Sequence, residues 1–151
     1  MRVSSRPATR KGLAVAACAS LGLLMVACSG LGVEDPRAGL SCVDDTKECV
    51  DRRQTTLNSM LGDQDRKWVK EPSNPHAHAS GVRLFAFRSR KKDLSCEELG
   101  HGRREADSVP KSLRGEGGKG LSPAQISRTN MLAAEVSKEL AAEMRARRCK
   151  A

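Results

Sequence analysis

From Cys42 onward, apolar side chains recur at intervals of three and four residues, the spacing that lines one face of an α-helix. Cys42, Val43, Thr46, Cys49, Val50, Leu57, Met60 and Leu61 form the first stripe and Gly62 follows it, so the spacing predicts a helix from near Ser41 to Gly62. Asn74 and Pro75 supply an N-cap with proline at the first helical position, which starts a second helix through about Arg90. That helix would place Ala77, Gly81, Leu84 and Phe85 on one face. Val82, Leu84 and Ala86 also alternate, and a short strand over residues 82–87 is the alternative. Ser95 and Glu98 make a capping box for a third helix of about 12 residues, ending before Pro110. Ser122, Pro123 and Gln125 open a fourth that runs to about Arg148, with Thr129, Ala133, Val136, Leu140 and Met144 on its buried face.

The connections are polar. Residues 62–73 surround Trp68, the largest apolar side chain of the chain, which is expected to pack as a lid on the bundle. Arg114 to Gly120 is glycine-rich, yet no frame of it gives the Gly-x-x-x-x-Gly-Lys-Ser/Thr of a phosphate loop, so it reads as a flexible connector. The expected fold is all-α, a small three- or four-helix bundle.

The N-terminal residues follow another pattern. Arg2, Arg6, Arg10 and Lys11 precede residues 12–27, which are uncharged and small or aliphatic, as in the n-region and h-region of a secretion signal. This run falls short of the roughly 20 apolar residues of a spanning helix, and Glu34, Asp35 and Pro36 soon turn the chain polar. Met25, Val26, Ala27 and Cys28 close it. These residues resemble the lipobox of bacterial lipoproteins, in which a large aliphatic residue and two small ones precede the cysteine to be acylated. Met25 stands where leucine is usual. Val15, Ala16, Ala17 and Cys18 match the pattern locally, but leave too short an h-region after Lys11.

The resemblance covers residues 1–28. It implies a signal peptide over residues 1–27, acylation of Cys28 with palmitate-type chains, and attachment in the bacterial cell envelope facing the periplasm, where two or more chains hold stably. Ser29 is similar to an outer-membrane sorting residue. Residues 28–40 would be lipidated cysteine and flexible tether, and residues 41–151 one helical domain.

The net charge of +9 includes four positive charges of the signal and falls to +5 without them. Nucleic acid is not expected as a partner, because the basic residues lack the interleaved aromatics of single-strand binders. With one Trp, two Phe and no Tyr, the core must be Leu, Val, Met and Ala. Cys42, Cys49, Cys96 and Cys149 remain as an even set in an oxidising compartment, read as two disulfides stapling the bundle. Their spacing lacks the close Cys-x-x-Cys pairs of a zinc site.

If Cys42 and Cys49 share a helix, their Cα atoms stand about 10 Å apart, beyond the roughly 7 Å a disulfide spans. Each would then reach Cys96 or Cys149. Cys42 with Cys149 and Cys49 with Cys96 is preferred over the swap, and an up-and-down bundle would gather all four at one pole.

Candidate chemistry is sparse. His76, His78 and His101 lack the three- or four-residue spacing of helical metal ligands and are expected at the surface. No Gly-x-Ser-x-Gly turn places a nucleophile, and acidic pairs at helix starts suit the dipole. No metal, cofactor or catalytic residue is expected. Arg88, Arg90, Lys91 and Lys92 form one basic cluster, and Arg145, Arg147, Arg148 and Lys150 another. Both would end helices at the cysteine pole, where anionic lipid attracts basic residues with about 1 kcal/mol each. The leading expectation is a non-enzymatic envelope lipoprotein serving as an interaction or scaffold module for an envelope protein. A binding module for anionic lipid or peptidoglycan carboxylates comes second, and a small hydrolase third.

Overall fold

Three start signals act as local chemistry dictates. In the computed structural model, which describes residues 35–150, the side chains of Asn74, Ser95 and Ser122 each accept a backbone N–H of the helix they open. Ser95 with Glu98 and Ser122 with Gln125 form complete capping boxes. Five α-helices follow: α1 (Lys47–Gly62), α2 (Pro75–Ser80), α3 (Val82–Arg90), α4 (Cys96–Ser112) and α5 (Pro123–Ala146). Three short 3-10 turns, Ala38–Ser41, Lys67–Lys70 and Gly115–Gly118, lie between or before them, and the described residues contain no strand. The all-α bundle stapled by two disulfides is therefore the fold, and the strand alternative over residues 82–87 falls.

Four expectations are corrected. α1 begins at Lys47 because Thr46, taken as part of the apolar stripe, is its N-cap: the hydroxyl accepts the Cys49 N–H. The single helix expected from Asn74 to Arg90 is two, divided at Gly81, whose φ of 71° closes α2 in the left-handed region glycine tolerates. Phe85, placed on the inner face, is 44% exposed because the break re-aims α3. α4 continues through Pro110 to Ser112. Proline removes one donor in the last turn, and the burial of Val109 and Leu113 outweighs that loss.

The disulfide pairing is also corrected. Cys42 joins Cys49 and Cys96 joins Cys149, each with Cα atoms 5.4 Å apart. The exclusion of a Cys42–Cys49 bridge assumed one helix through both residues. Cys42 instead follows the Ala38–Ser41 turn in extended conformation, and the chain bends back so that the two sulfurs meet.

Helix directions follow from the long-range bonds. Cys96 lies against Cys149, Asp107 accepts from Ser137 at 2.6 Å, and Arg147 donates to Leu94 O at 2.5 Å, so α4 and α5 are antiparallel neighbours. Thr129 donates to Ala79 O while Arg88 and Lys91 reach Glu139, which sets α3 parallel to α5. Gln125 donates to Val43 O and Arg90 to Leu61 O, and α1 runs the same way. The chain returns between α1 and α3 through residues 63–74: Arg66 pairs with Glu98 near the start of α4, and Ser73 bonds Glu105 farther along. That return stroke divides the cysteines between two poles. Cys42–Cys49 lies at the end where α5 starts, and Cys96–Cys149 at the end where it stops.

Phe87, Leu84, Leu94, Leu99, Val109, Val136 and Leu140 are fully buried at the centre. Phe87 lies edge-on to Trp68 with ring centroids 4.9 Å apart and faces Gly102 of α4, where an added Cβ would stand 2.5 Å from Cδ1 of Phe87. Trp68 covers the core as expected, and its indole N–H donates to Met60 O at 3.0 Å. Part of the stretch expected as tether is packed. Gly39 is buried against α1, its N–H donating to Thr56 Oγ1 at 3.0 Å, and Arg37 pairs with Glu71.

Candidate functional site

The lipidation residue Cys28, the rival Cys18 and the sorting residue Ser29 lie outside the described residues. The two basic clusters lie within them, and the structure brings both to the pole where α3 and α5 end. It also neutralises most of the first. Arg88 pairs with Glu135 and Glu139, Lys91 with Glu139, Lys92 with Glu143, and Arg90 with Asp93. The hydrogen bond from Lys91 holds the Glu139 carboxyl below the usual carboxylate range against partial burial, with Arg88 adding to it. Of the second cluster, Arg147 is engaged by Leu94 O, while Arg145, Arg148 and Lys150 are exposed. Three of the acids, Glu135, Glu139 and Glu143, are spaced four residues apart on α5, a stripe visible in sequence although its pairing with the end of α3 is not.

A different group of residues forms the most elaborate polar arrangement. Arg83 of α3 is 2% exposed, and its guanidinium makes four hydrogen bonds: Nε to Glu105 Oε1 at 2.7 Å, Nη2 to Glu105 Oε2 at 2.6 Å, Nη1 to Trp68 O at 2.7 Å and Nη2 to Glu71 O at 3.0 Å. Its carbon lies 5.9 Å from the Phe87 ring centroid. The fork geometry suits arginine alone: one edge is matched by a carboxylate, the other by carbonyls of the Lys67–Lys70 turn and of Glu71 just after it. The sequence signal was a lone charge inside the apolar run Val82 to Phe87.

Beside this pair lies His78, expected at the surface and found 6% exposed. Neither ring nitrogen has a hydrogen-bond partner. Burial pushes its pKa below the ordinary histidine value, with Arg83 acting in the same direction and Glu105 opposing, so the ring is neutral. His78 and Ala77 form the inner face of α2, which the short Asn74-capped helix presses under the return stroke.

The histidine faces a recess of about 310 Å³ whose walls include Ser73, His78, His101, Arg104, Glu105 and Ser108. Ser73 donates to Glu105 Oε1 at 2.8 Å and Ser108 to Glu105 O at 2.7 Å. The surrounding acids are engaged: Glu105 by Arg83, Glu97 by Lys70, Asp107 by Arg103, and Glu71 by Arg37. Among the described residues, Arg104 is left as an exposed cation without an acidic partner. No cluster of three His, Cys, Asp or Glu suited to a metal occurs among the described residues, and none of their helices is long and apolar enough to cross a membrane. The chain matches no protein-family model, and comparison with curated proteins and with solved structures finds no match for it.

Proposed function

We propose that the chain is a lipid-anchored protein of the bacterial cell envelope whose helical domain is a non-enzymatic interaction or scaffold module. The observation that carries this reading is the lipobox-like run ending at Cys28, followed by a domain in which every remaining cysteine is paired, Cys42 with Cys49 and Cys96 with Cys149. Paired cysteines persist in oxidising compartments such as the periplasm, which agrees with export. The leading test is metabolic labelling with a palmitate analogue. Label on the native chain, lost in Cys28→Ala but retained in Cys18→Ala, supports acylation at Cys28; label retained in Cys28→Ala overturns it. Crosslinking in cells then identifies the envelope partner.

The second reading, binding of anionic lipid or peptidoglycan carboxylates at the basic pole, rests on the exposed Arg145, Arg148 and Lys150. The ion pairs of Arg88, Lys91 and Lys92 with α5 weigh against it. Equal binding of the unlipidated domain to anionic and neutral vesicles would discard it.

A further inference from the structure

We propose that the bridge between Cys42 and Cys49 is an exchangeable disulfide, opened by a dithiol and closed again without unfolding, while Cys96–Cys149 is the permanent staple.

The two sulfurs are unequally placed. Cys42 is partly exposed in the loop before α1, and Cys49 is 2% exposed at the third position of that helix, so an incoming thiolate reaches Sγ of Cys42. A bond forms between the reductant and Cys42, the Cys42–Cys49 bond breaks, and the electron pair leaves on Sγ of Cys49. That sulfur is placed to carry the charge. It stands in the first turn of α1, where open backbone N–H groups favour an anion, and Nη1 of Arg53, one turn on, lies 4.0 Å away. The better a thiolate is stabilised, the faster it leaves. The acids of this end are already engaged or exposed: Asp44 accepts from Thr46, Asp45 is shared by Arg53 and Arg128, and Glu48 is exposed. One carboxylate between two guanidinium groups leaves positive charge in excess. The reductant's second thiolate then attacks the mixed disulfide and expels Cys42. Two electrons and two protons pass from the dithiol, which becomes a disulfide, to Cys42 and Cys49, which become thiols.

Opening the bridge does not free the loop. Nη1 of Arg53 also donates to Asp44 O at 2.7 Å and to Cys42 O at 3.4 Å, Gln125 donates to Val43 O at 2.7 Å, and the Gly39 N–H is held by Thr56. These bonds keep the reduced cysteines close, so the bridge re-forms when an oxidised dithiol is met. What changes is the covalent link between the N-terminal turn and α1. The other bridge lacks these properties. It joins residues 53 apart instead of 7, a difference in loop entropy worth about tenfold in the equilibrium with a dithiol. Cys96 also opens a helix, but the acids Glu97 and Glu98 follow it where Cys49 has Arg53. None of this chemistry involves Cys28, so it is independent of acylation there.

The test is titration of the purified full chain with dithiothreitol, with alkylation and peptide mass spectrometry reading each cysteine and circular dichroism reading the helices. Cys42 and Cys49 should become alkylated at about tenfold lower dithiothreitol than Cys96 and Cys149, with the helical signal unchanged. Arg53→Gln should slow opening severalfold and raise the pH at which Cys49 of the reduced protein alkylates. Arg53→Lys, which returns the charge, should restore both. Opening of the two bridges together, opening of Cys96–Cys149 first, loss of helix as Cys42–Cys49 opens, or an unchanged pH midpoint in Arg53→Gln would each overturn the proposal.

Discussion

Arg83 and Glu105 meet edge to edge in the interior, the guanidinium Nε and Nη2 donating to the two carboxylate oxygens at 2.7 and 2.6 Å. The pair ties α3 to α4, and the remaining guanidinium donors fasten the return stroke through Trp68 O and Glu71 O. One side chain thus locks three segments of the fold.

Breaking that pair should be expensive in an uneven way. Removing one partner of a buried ion pair costs about 3–5 kcal/mol because it strands the other. Arg83→Met should cost more than Glu105→Gln, since it also removes the guanidinium bonds to Trp68 O and Glu71 O. The double variant Arg83→Met with Glu105→Leu should cost less than the sum of its singles. Urea denaturation measures all three, and simple additivity would show that the two groups do not act as a pair.

Peptide mapping of unreduced protein should recover Cys42 linked to Cys49 and Cys96 linked to Cys149. Sequence separations of 7 and 53 residues correspond to about 2.5 and about 4 kcal/mol in the chain-entropy description. Cys96→Ala with Cys149→Ala should therefore lower the melting temperature more than Cys42→Ala with Cys49→Ala. The reverse order would mean that the short bridge holds the N-terminal turn more firmly than loop length implies.

Stability should fall on mild acidification. His78 titrates lower when folded than its ordinary value of 6.5 because burial disfavours its charged form. As pH drops through 6.5 the unfolded chain takes up a proton that the folded one refuses, and stability is lost until the folded value is reached. Groups facing the ring include Glu105 and Arg83, and across the recess His101 and Arg104. Glu98 and Glu139 are held below the carboxylate value of 4.5. Burial opposes this at Glu98 but is outweighed by the Ser95 backbone N–H and Arg66. The stability these two carboxylates contribute is present above 4.5 and lost as pH falls further. Urea midpoints measured from neutral pH down to about 5 should decline in the native chain and flatten in His78→Gln; an unchanged slope in that variant would assign the decline to other groups.

The sequence carried the local chemistry of this fold and not its routing. Asn74, Ser95 and Ser122 could be read as caps because a cap depends on three neighbouring residues, and the buried face Thr129, Ala133, Val136, Leu140 and Met144 of α5 emerged intact because a long helix repeats its pattern. Thr46 was misread because a threonine fits both an apolar stripe and an N-cap, and that shift of α1 reversed the disulfide argument. The traverse by residues 63–74 has no helical period. Its course is set by Arg66, Ser73 and Arg83 finding acids on α4, partners about 20 to 30 residues distant that no spacing rule connects. His78 was expected at the surface for the same reason, since its burial depends on what that traverse covers.

The bridge between Cys42 and Cys49 also decides how the domain bears load. A pull arriving from the N-terminal side meets the Arg37–Glu71 pair and then Gly39, whose amide is bonded to Thr56, before it crosses from Cys42 to α1 through sulfur. Residues 43 to 48 are bypassed, and the force enters at the third residue of a helix parallel to α3 and α5. Tension on that end would draw α1 along its own axis against its neighbours instead of peeling it from its first residue, so the domain resists in shear where an unbridged start would unzip.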